Sequence, residues 1–392
     1  MLIRILVFFG ILLTILGLSQ WWAYRTFTAL FGHKRFFFWL TVGIVLITLS
    51  FFVFAQLRVK PTAWVMDFIY RLPTVYVATT LILSLLFPLY WLIGRAATLG
   101  AKGEQEELSR REFLYKAARI SLVGLYAVAL GDSILSAQRD RIRRYTVRLK
   151  DLPEELNGVT IAQLSDIHVG AYWGIERFEE VAEKLKTINH DFLVITGDLV
   201  DNSPDDAPVL TAGLNLLSAK QACIAVLGNH DHYAGASIVA SAVRASHFTL
   251  LRNETLNAAY NGGTISFLGA EDPMGAIDKN DPTNESGLRQ AMQSQQGFPV
   301  VLMHRPDQWE AVKKLQLPFA LCGHTHAGQL AIPFTQITIA NIVYKQTIGF
   351  YNEVLANGLT STLFVHAGNG VAGVPVRVGC PPEISVFELR RA

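Results

Sequence analysis

The sequence predicts an α-helical membrane region followed by an α/β domain. Three observations carry this expectation. Three long uncharged apolar runs fall within the first 94 of 392 residues. From about Tyr145 onward, short apolar runs alternate with amphipathic stretches, the pattern of sheets with helices on their faces. Histidines, aspartates and an asparagine stand just past the ends of the expected strands, where open α/β sheets gather functional groups. Hydrophobic residues make up 51% of the chain and mean hydropathy is +0.30, with the excess mainly in the first third. A formal net charge of +2 gives no global bias toward nucleic acid. Cys223, Cys322 and Cys380 are widely spaced without a CxxC pair, which excludes a disulfide framework and a zinc ribbon.

The apolar runs are Ile5–Tyr24, Phe36–Leu57 and Leu72–Gly94, of 20, 22 and 23 residues. Each is long enough to cross a hydrocarbon core of roughly 30 Å at about 1.5 Å per residue. Trp21, Trp22, Tyr24, Trp39, Tyr90 and Trp91 lie toward run ends, as an interfacial belt would place them. A fourth run, Ile120–Gly131, has 12 residues before Asp132 and reads equally as a short interfacial helix. Lys and Arg divide ten to nine between alternate sides, so the positive-inside rule sets no orientation. Ser109-Arg110-Arg111-Glu112-Phe113-Leu114-Tyr115-Lys116 resembles a twin-arginine export signal, although its lysine is one position late and no small-x-small cleavage site follows. The other reading is an ordinary basic flank of a membrane helix. As a signal, it keeps the arginines cytoplasmic and turns the C-terminal domain outward. Arg139–Lys150 is a basic connector that either lies against anionic headgroups or leads into the first strand. The expected organisation is a transmembrane region over 1–138, connector and first strand over 139–157, and the α/β domain over 158–392.

Within that domain the first strand is expected at Val159–Leu164, followed by a helix over Ile175–Ile188 with Ile175, Phe178, Val181, Leu185 and Ile188 on one face. Phe192–Thr196 is a buried strand that stops at Gly197, whose permissive backbone can turn Asp198 back over the sheet edge. A helix is expected over Ala207–Leu217, a strand at Ile224–Leu227 and a helix over Ser237–Ala245. Further strands are expected at Thr264–Leu268, Val300–Met303, Phe319–Leu321, Thr362–Val365 and Glu383–Glu388.

Five strand ends deliver Asp166-Ile167-His168, Gly197-Asp198 with Asp201, Gly228-Asn229-His230-Asp231, His304-Arg305-Pro306-Asp307 and Gly323-His324-Thr325-His326. Singly, such segments also serve as turns or helix caps. Five in this order resemble the calcineurin-like metallophosphoesterase superfamily, whose pattern is DxH, GDxxD, GNH[DE], H and GHxH. The resemblance covers roughly Gly158–Leu389, including the return segment Gly368-Asn369-Gly370. With the N-terminal apolar runs it is similar to the transmembrane branch of that superfamily.

The resemblance implies a four-layer α/β/β/α sandwich holding two divalent cations, of Mn, Fe, Zn, Ni or Co, about 3.5–4 Å apart. Asp198 would bridge them. Asp166, His168 and His326 would complete one site, and Asn229, His304 and His324 the other. His230 is the implied general acid, while Asp201 and Asp231 would orient their neighbours. A residual charge of about +1 at such a centre suits a phosphodiester or an inner pyrophosphate better than a dianion. The expected protein is therefore a membrane-held phosphodiesterase or pyrophosphatase of the bacterial cell membrane. Its expected partners are the bilayer and a lipid-linked or envelope phosphate, with no nucleic acid, and its catalytic domain faces outward. Some relatives in this branch look like UDP-2,3-diacylglucosamine hydrolases, which would need a cytoplasmic-facing site, and others like cell-wall phosphodiesterases. The competing class is a non-enzymatic membrane binding protein with a degenerate phosphatase domain. Tyr172 and Trp173, just after the first motif, would line the mouth of the site, dip toward lipid, or pack.

Overall fold

The computed structural model describes residues 17–28, 31–56, scattered positions between 92 and 131, and 140–392 apart from 279, 333–334 and 374–376. The chain divides into two units, the first built mainly from Met1–Leu135, the second from Ser136–Gly373 and Arg377–Ala392.

In the first unit, helices cover 17–28 and Lys34–Gln56 (α1), the latter coinciding with the second uncharged run. Side chains at 51–56 are not among those described. Among the described residues, no helix is long and apolar enough to cross a membrane. The third run falls outside the described residues except for Leu92. Five residues of the fourth run and half of the twin-arginine segment, both arginines included, lie outside them too.

The second unit is built on two six-stranded mixed sheets. Sheet one has the order β1-β12-β2-β3-β4-β5, with β1 Arg141–Leu149, β2 Thr160–Leu164, β3 Phe192–Thr196, β4 Ala222–Val226, β5 Thr249–Leu250 and β12 Glu383–Arg391. Sheet two has the order β10-β11-β9-β8-β7-β6, with β6 Glu254–Tyr260, β7 Gly263–Gly269, β8 Phe298–Leu302, β9 Phe319–Cys322, β10 Gly349–Val354 and β11 Thr360–Val365.

Strand periodicity explains the layering. On β3, Phe192 and Val194 face the other sheet and pack with Phe267, Val300, Leu302, Phe319 and Phe364. Leu193 and Ile195 point the opposite way, into a core shared with Phe178, Val181 and Leu185 of the helix Ile175–Lys186 and with Leu210 and Leu214 of Ala207–Leu214. Beyond sheet two, Val301, Ala320 and Leu363 pack on Leu288 of Glu285–Met292 and on Trp309 and Val312 of Trp309–Lys314. Both faces of each sheet are apolar along their central strands, which yields helix, sheet, sheet, helix.

The basic segment Arg141–Leu149 is the edge strand β1. It pairs in parallel with β12 and buries Val147 and Leu149 inward. Just before it, the buried Asp140 carboxylate takes both Arg177 and Lys184 at 2.9 Å. Burial alone would raise the Asp140 pKa, but the two cations outweigh it and hold it below the ordinary value. A carboxylate with a depressed folded-state pKa contributes stability above its unfolded pKa of about 4 and loses it as pH falls further. Asp140→Asn should cost roughly 1–3 kcal/mol at neutral pH, since both cations are partly exposed and can rehydrate. Its stability should also fall less steeply than wild type below about pH 4. Urea midpoints measured across that range check both.

Candidate metal centre

The C-terminal ends of β2, β3 and β4 in sheet one, and of β8, β9 and β11 in sheet two, open toward the same place. Beneath it a buried polar network joins the sheets. Gln163 on β2 donates to the Thr196 hydroxyl at 2.8 Å and to the Cys322 carbonyl on β9 at 3.1 Å. The Thr196 hydroxyl in turn donates to that of Ser165 at 2.8 Å.

All seven residues expected as ligands converge here, in two groups that share Asp198. In the first, His168 Nε2 and His326 Nε2 are 2.9 Å apart. Asp166 Oδ1 lies 3.4 Å from His326 Nε2, and Asp198 Oδ2 lies 3.6 Å from His168 Nε2. In the second, His304 Nε2 faces Asp198 Oδ2, Asn229 Oδ1 and His324 Nδ1, each at 3.2 Å. Asp198 Oδ1 accepts the His230 backbone N–H at 2.8 Å, and Oδ2 is the oxygen that lies near both groups.

The donor chemistry fits cations. His304 Nδ1 lies 2.8 Å from the Thr196 carbonyl, which can only accept, so Nδ1 carries a proton. Its Nε2 therefore points a lone pair at three further acceptors. Without a cation, the convergence is satisfied only by protonating the ring. Burial opposes that, yet the Asp198 charge pushes the His304 pKa up to about 10. Positive charge is what the pocket demands, and a metal ion would supply it. In the other group, burial and then the His168 charge push the His326 pKa well down, which favours a neutral ring there. Among the described residues, Asp166 Oδ2 is buried without a hydrogen-bond partner. Five of the seven residues, Asp166, His168, Asp198, His324 and His326, have φ between 49° and 73°. Left-handed backbone at non-glycine residues is costly and gathers at functional sites.

Glycines make room for this geometry. A Cβ on Gly228 would sit 2.2 Å from Asp198 Oδ1, and one on Gly323 2.2 Å from Asp166 Oδ2. Gly228→Ala should therefore displace the shared carboxylate and weaken metal binding by about 10–100-fold, the range seen when ligand support is lost. Metal titration monitored by calorimetry reads this directly.

The remaining expected residues lie around the cage. His230 Nδ1 donates to the Asp201 carbonyl at 2.8 Å and its ring meets that of His168 edge-on at 4.6 Å. Burial lowers its pKa, but the hydrogen bond to Asp201 and the Asp198 charge win and raise it. Asp201 Oδ1 stands 3.5 Å from His168 Nδ1 and 3.4 Å from His230 Nδ1. The fully buried Asp231 accepts the backbone N–H groups of Leu199, Val200 and Gly228 at 2.8–3.0 Å, tying two ligand-bearing loops together. Trp173 takes the packing role: it is buried against Phe178 with Arg177 5.1 Å from its ring.

Three further contributors lie outside the five strand-end motifs. Tyr344 places its hydroxyl 2.8 Å from His324 Nε2, leaving Nδ1 to face the cage. The fully buried Arg377 reaches His326 Nδ1 at 3.2 Å and donates to the Ala367 carbonyl at 2.9 Å. Asn369, in the Gly-rich return, clamps the end of β2 by accepting the Ser165 N–H at 3.0 Å. Only the last was signalled in the sequence, by its flanking glycines.

Fold and cluster define an α/β protein with candidate metal ligands gathered at the strand ends of two packed sheets. The chain belongs to the calcineurin-like metallophosphoesterase family, a family of phosphoester hydrolases, and its residues 159–328 match the model for calcineurin-like phosphoesterases. It is 30% identical to "Uncharacterized metallophosphoesterase YkuE" of Bacillus subtilis, over 73% of this chain and 99% of that one. An "Uncharacterized metallophosphoesterase" of Helicobacter pylori is 26% identical, over 72% of this chain and 71% of its own length. A "Transmembrane protein with metallophosphoesterase domain" of Danio rerio is 23% identical, over 76% of this chain and 69% of that protein.

Proposed function

We propose that this protein is a membrane-anchored phosphodiesterase or pyrophosphatase that uses two divalent cations and acts on a lipid-linked or envelope phosphate. The observation that carries the reading is the pair of acceptor groups sharing Asp198 Oδ2, which has no use in a merely structural strand-end loop. Asp166, His168 and His326 would hold one cation and Asn229, His304 and His324 the other, with Asp198 common to both. Such a pair supplies Lewis-acid activation of the phosphoryl group and of water.

The chain's own side chains do the rest. Asp198, its Oδ1 anchored by the His230 N–H, holds Oδ2 fixed between the two groups. Asp201, through its backbone carbonyl, orients the His230 ring, leaving Nε2 free to deliver a proton to the departing oxygen. Cations in the cage would lower the His230 pKa, countering the rise that Asp198 and Asp201 cause. Tyr344 and Arg377 hold the outer nitrogens of two ligand rings.

Anchorage in the bilayer is supported by the three uncharged runs at the head of the chain and by the likeness to proteins named as transmembrane. The twin-arginine-like segment favours an outward-facing catalytic domain. Purified full-length protein should hydrolyse bis-p-nitrophenyl phosphate with Mn²⁺ and lose that turnover in EDTA, regaining it on adding back metal. Absence of metal-dependent turnover would leave the membrane binding protein as the better reading.

A further inference from the structure

Between the Gly-His-Thr-His loop and β10 the chain makes an excursion over 330–348. Ile332, Ile337, Ile342 and Val343 are 54%, 59%, 81% and 74% exposed there. Single exposed aliphatics are ordinary, but four on one short segment beside a candidate active site are not. The segment is firmly held. Ile332 N–H donates to the Ile337 carbonyl at 2.9 Å, and Ala331 bridges Thr338 in antiparallel fashion. Thr338 N–H donates to Asn341 Oδ1 at 2.7 Å, and Thr325 Oγ1 donates to the Thr347 carbonyl at 2.6 Å. Tyr344, the residue after Val343, ends the excursion against His324 at 2.8 Å. The aliphatic side chains are thus presented outward by a fixed scaffold at the edge of the metal centre.

The charge pattern says what covers them. Lys345 is the only charged side chain between Leu330 and Ile348, and no Asp or Glu occurs from Ala311 to Asn352. An apolar tip with one cation and no acid suits an anionic bilayer surface, where acyl chains accept aliphatics without needing matched hydrogen bonds. We propose that Ile332, Ile337, Ile342 and Val343 insert into the outer part of a phospholipid bilayer, with Ile342 and Val343 deepest. This sets the metal centre at headgroup level, where it takes its phosphate substrate from the lipid surface. The inference rests on the membrane-held reading above.

The test uses the full chain reconstituted into vesicles of phosphatidylethanolamine and phosphatidylglycerol. The native cysteines are all buried, so Ile342→Cys directs an environment-sensitive fluorophore to the tip. Asn357→Cys, in the exposed turn before β11 and away from the metal-bearing strand ends, is the control. The label at 342 should emit blue-shifted and lose most of its emission to acyl-brominated lipid, while the label at 357 does neither. A water-like, unquenched label at 342 on protein that floats with vesicles overturns the insertion and leaves the hydrolase reading standing. A blue shift that appears only as protein density rises, without lipid quenching, assigns the patch to a second copy and equally overturns it. Protein that fails to float removes the membrane-held premise. Ile342→Asp combined with Val343→Asp should leave bis-p-nitrophenyl phosphate turnover unchanged, and loss of wild-type turnover on that ester would sink the hydrolase reading alone.

Discussion

Asp198→Asn is expected to abolish metal-dependent phosphodiester hydrolysis while leaving the protein folded. The two side chains are isosteric, and asparagine tolerates the left-handed backbone that residue 198 adopts at φ 51°. The amide oxygen can still accept the His230 N–H. What disappears is the negative charge shared by both acceptor groups, at 3.6 Å from His168 and 3.2 Å from His304. Losing a single electrostatic partner at a reaction centre costs about 10²–10³ in rate. Here both cation sites are weakened together, so kcat/KM should fall by at least about 10³, or roughly 4 kcal/mol. Metal content by mass spectrometry should fall with it, while circular dichroism stays as in wild type. A variant that kept its metal and its turnover would show that the shared carboxylate does not organise the centre.

His230→Asn should split substrates by leaving group. An alkoxide needs a proton as it departs, whereas p-nitrophenolate does not. Turnover of an alkyl phosphodiester should fall by about 10²–10⁴, the usual contribution of a placed general acid, with bis-p-nitrophenyl phosphate much less affected and metal content unchanged. The alternative is concrete, because His168, Asp198 and His230 also form a compact group of potential ligand atoms. If both esters slow equally and metal is lost, His230 is a ligand and not the acid.

How far the sequence could be read depended on burial. The strand Phe192–Thr196 was placed to the residue, because all five side chains are buried and form an uninterrupted apolar run. The strands β6 and β10 had no such signature. They are the edges of sheet two, with half-buried or exposed side chains, so no clean alternation marks them. The five strand-end motifs were legible because each packs its ligand-type residues into a few adjacent positions. Tyr344 and Arg377 were not, since each stands 18 or more residues beyond the motif whose histidine it touches, and nothing local distinguishes it. Of the roles open to the aromatic pair after the first motif, Trp173 takes packing, while no motif marked the exposed isoleucines Ile332, Ile337 and Ile342.

By itself, the sequence determined the α/β class, the apolar character of its first third and which side chains are chemically able to bind metal. These are local properties, set by composition and by spacing along the chain. Tertiary structure alone decided that Oδ2 is the oxygen of Asp198 that lies near both groups. It alone decided which ring nitrogen of His304 is committed to the Thr196 carbonyl, and which partners hold the outer edges of His324 and His326. Such choices depend on distances of about an ångström between segments as much as 158 residues apart, and only the packing of one sheet against the other sets them.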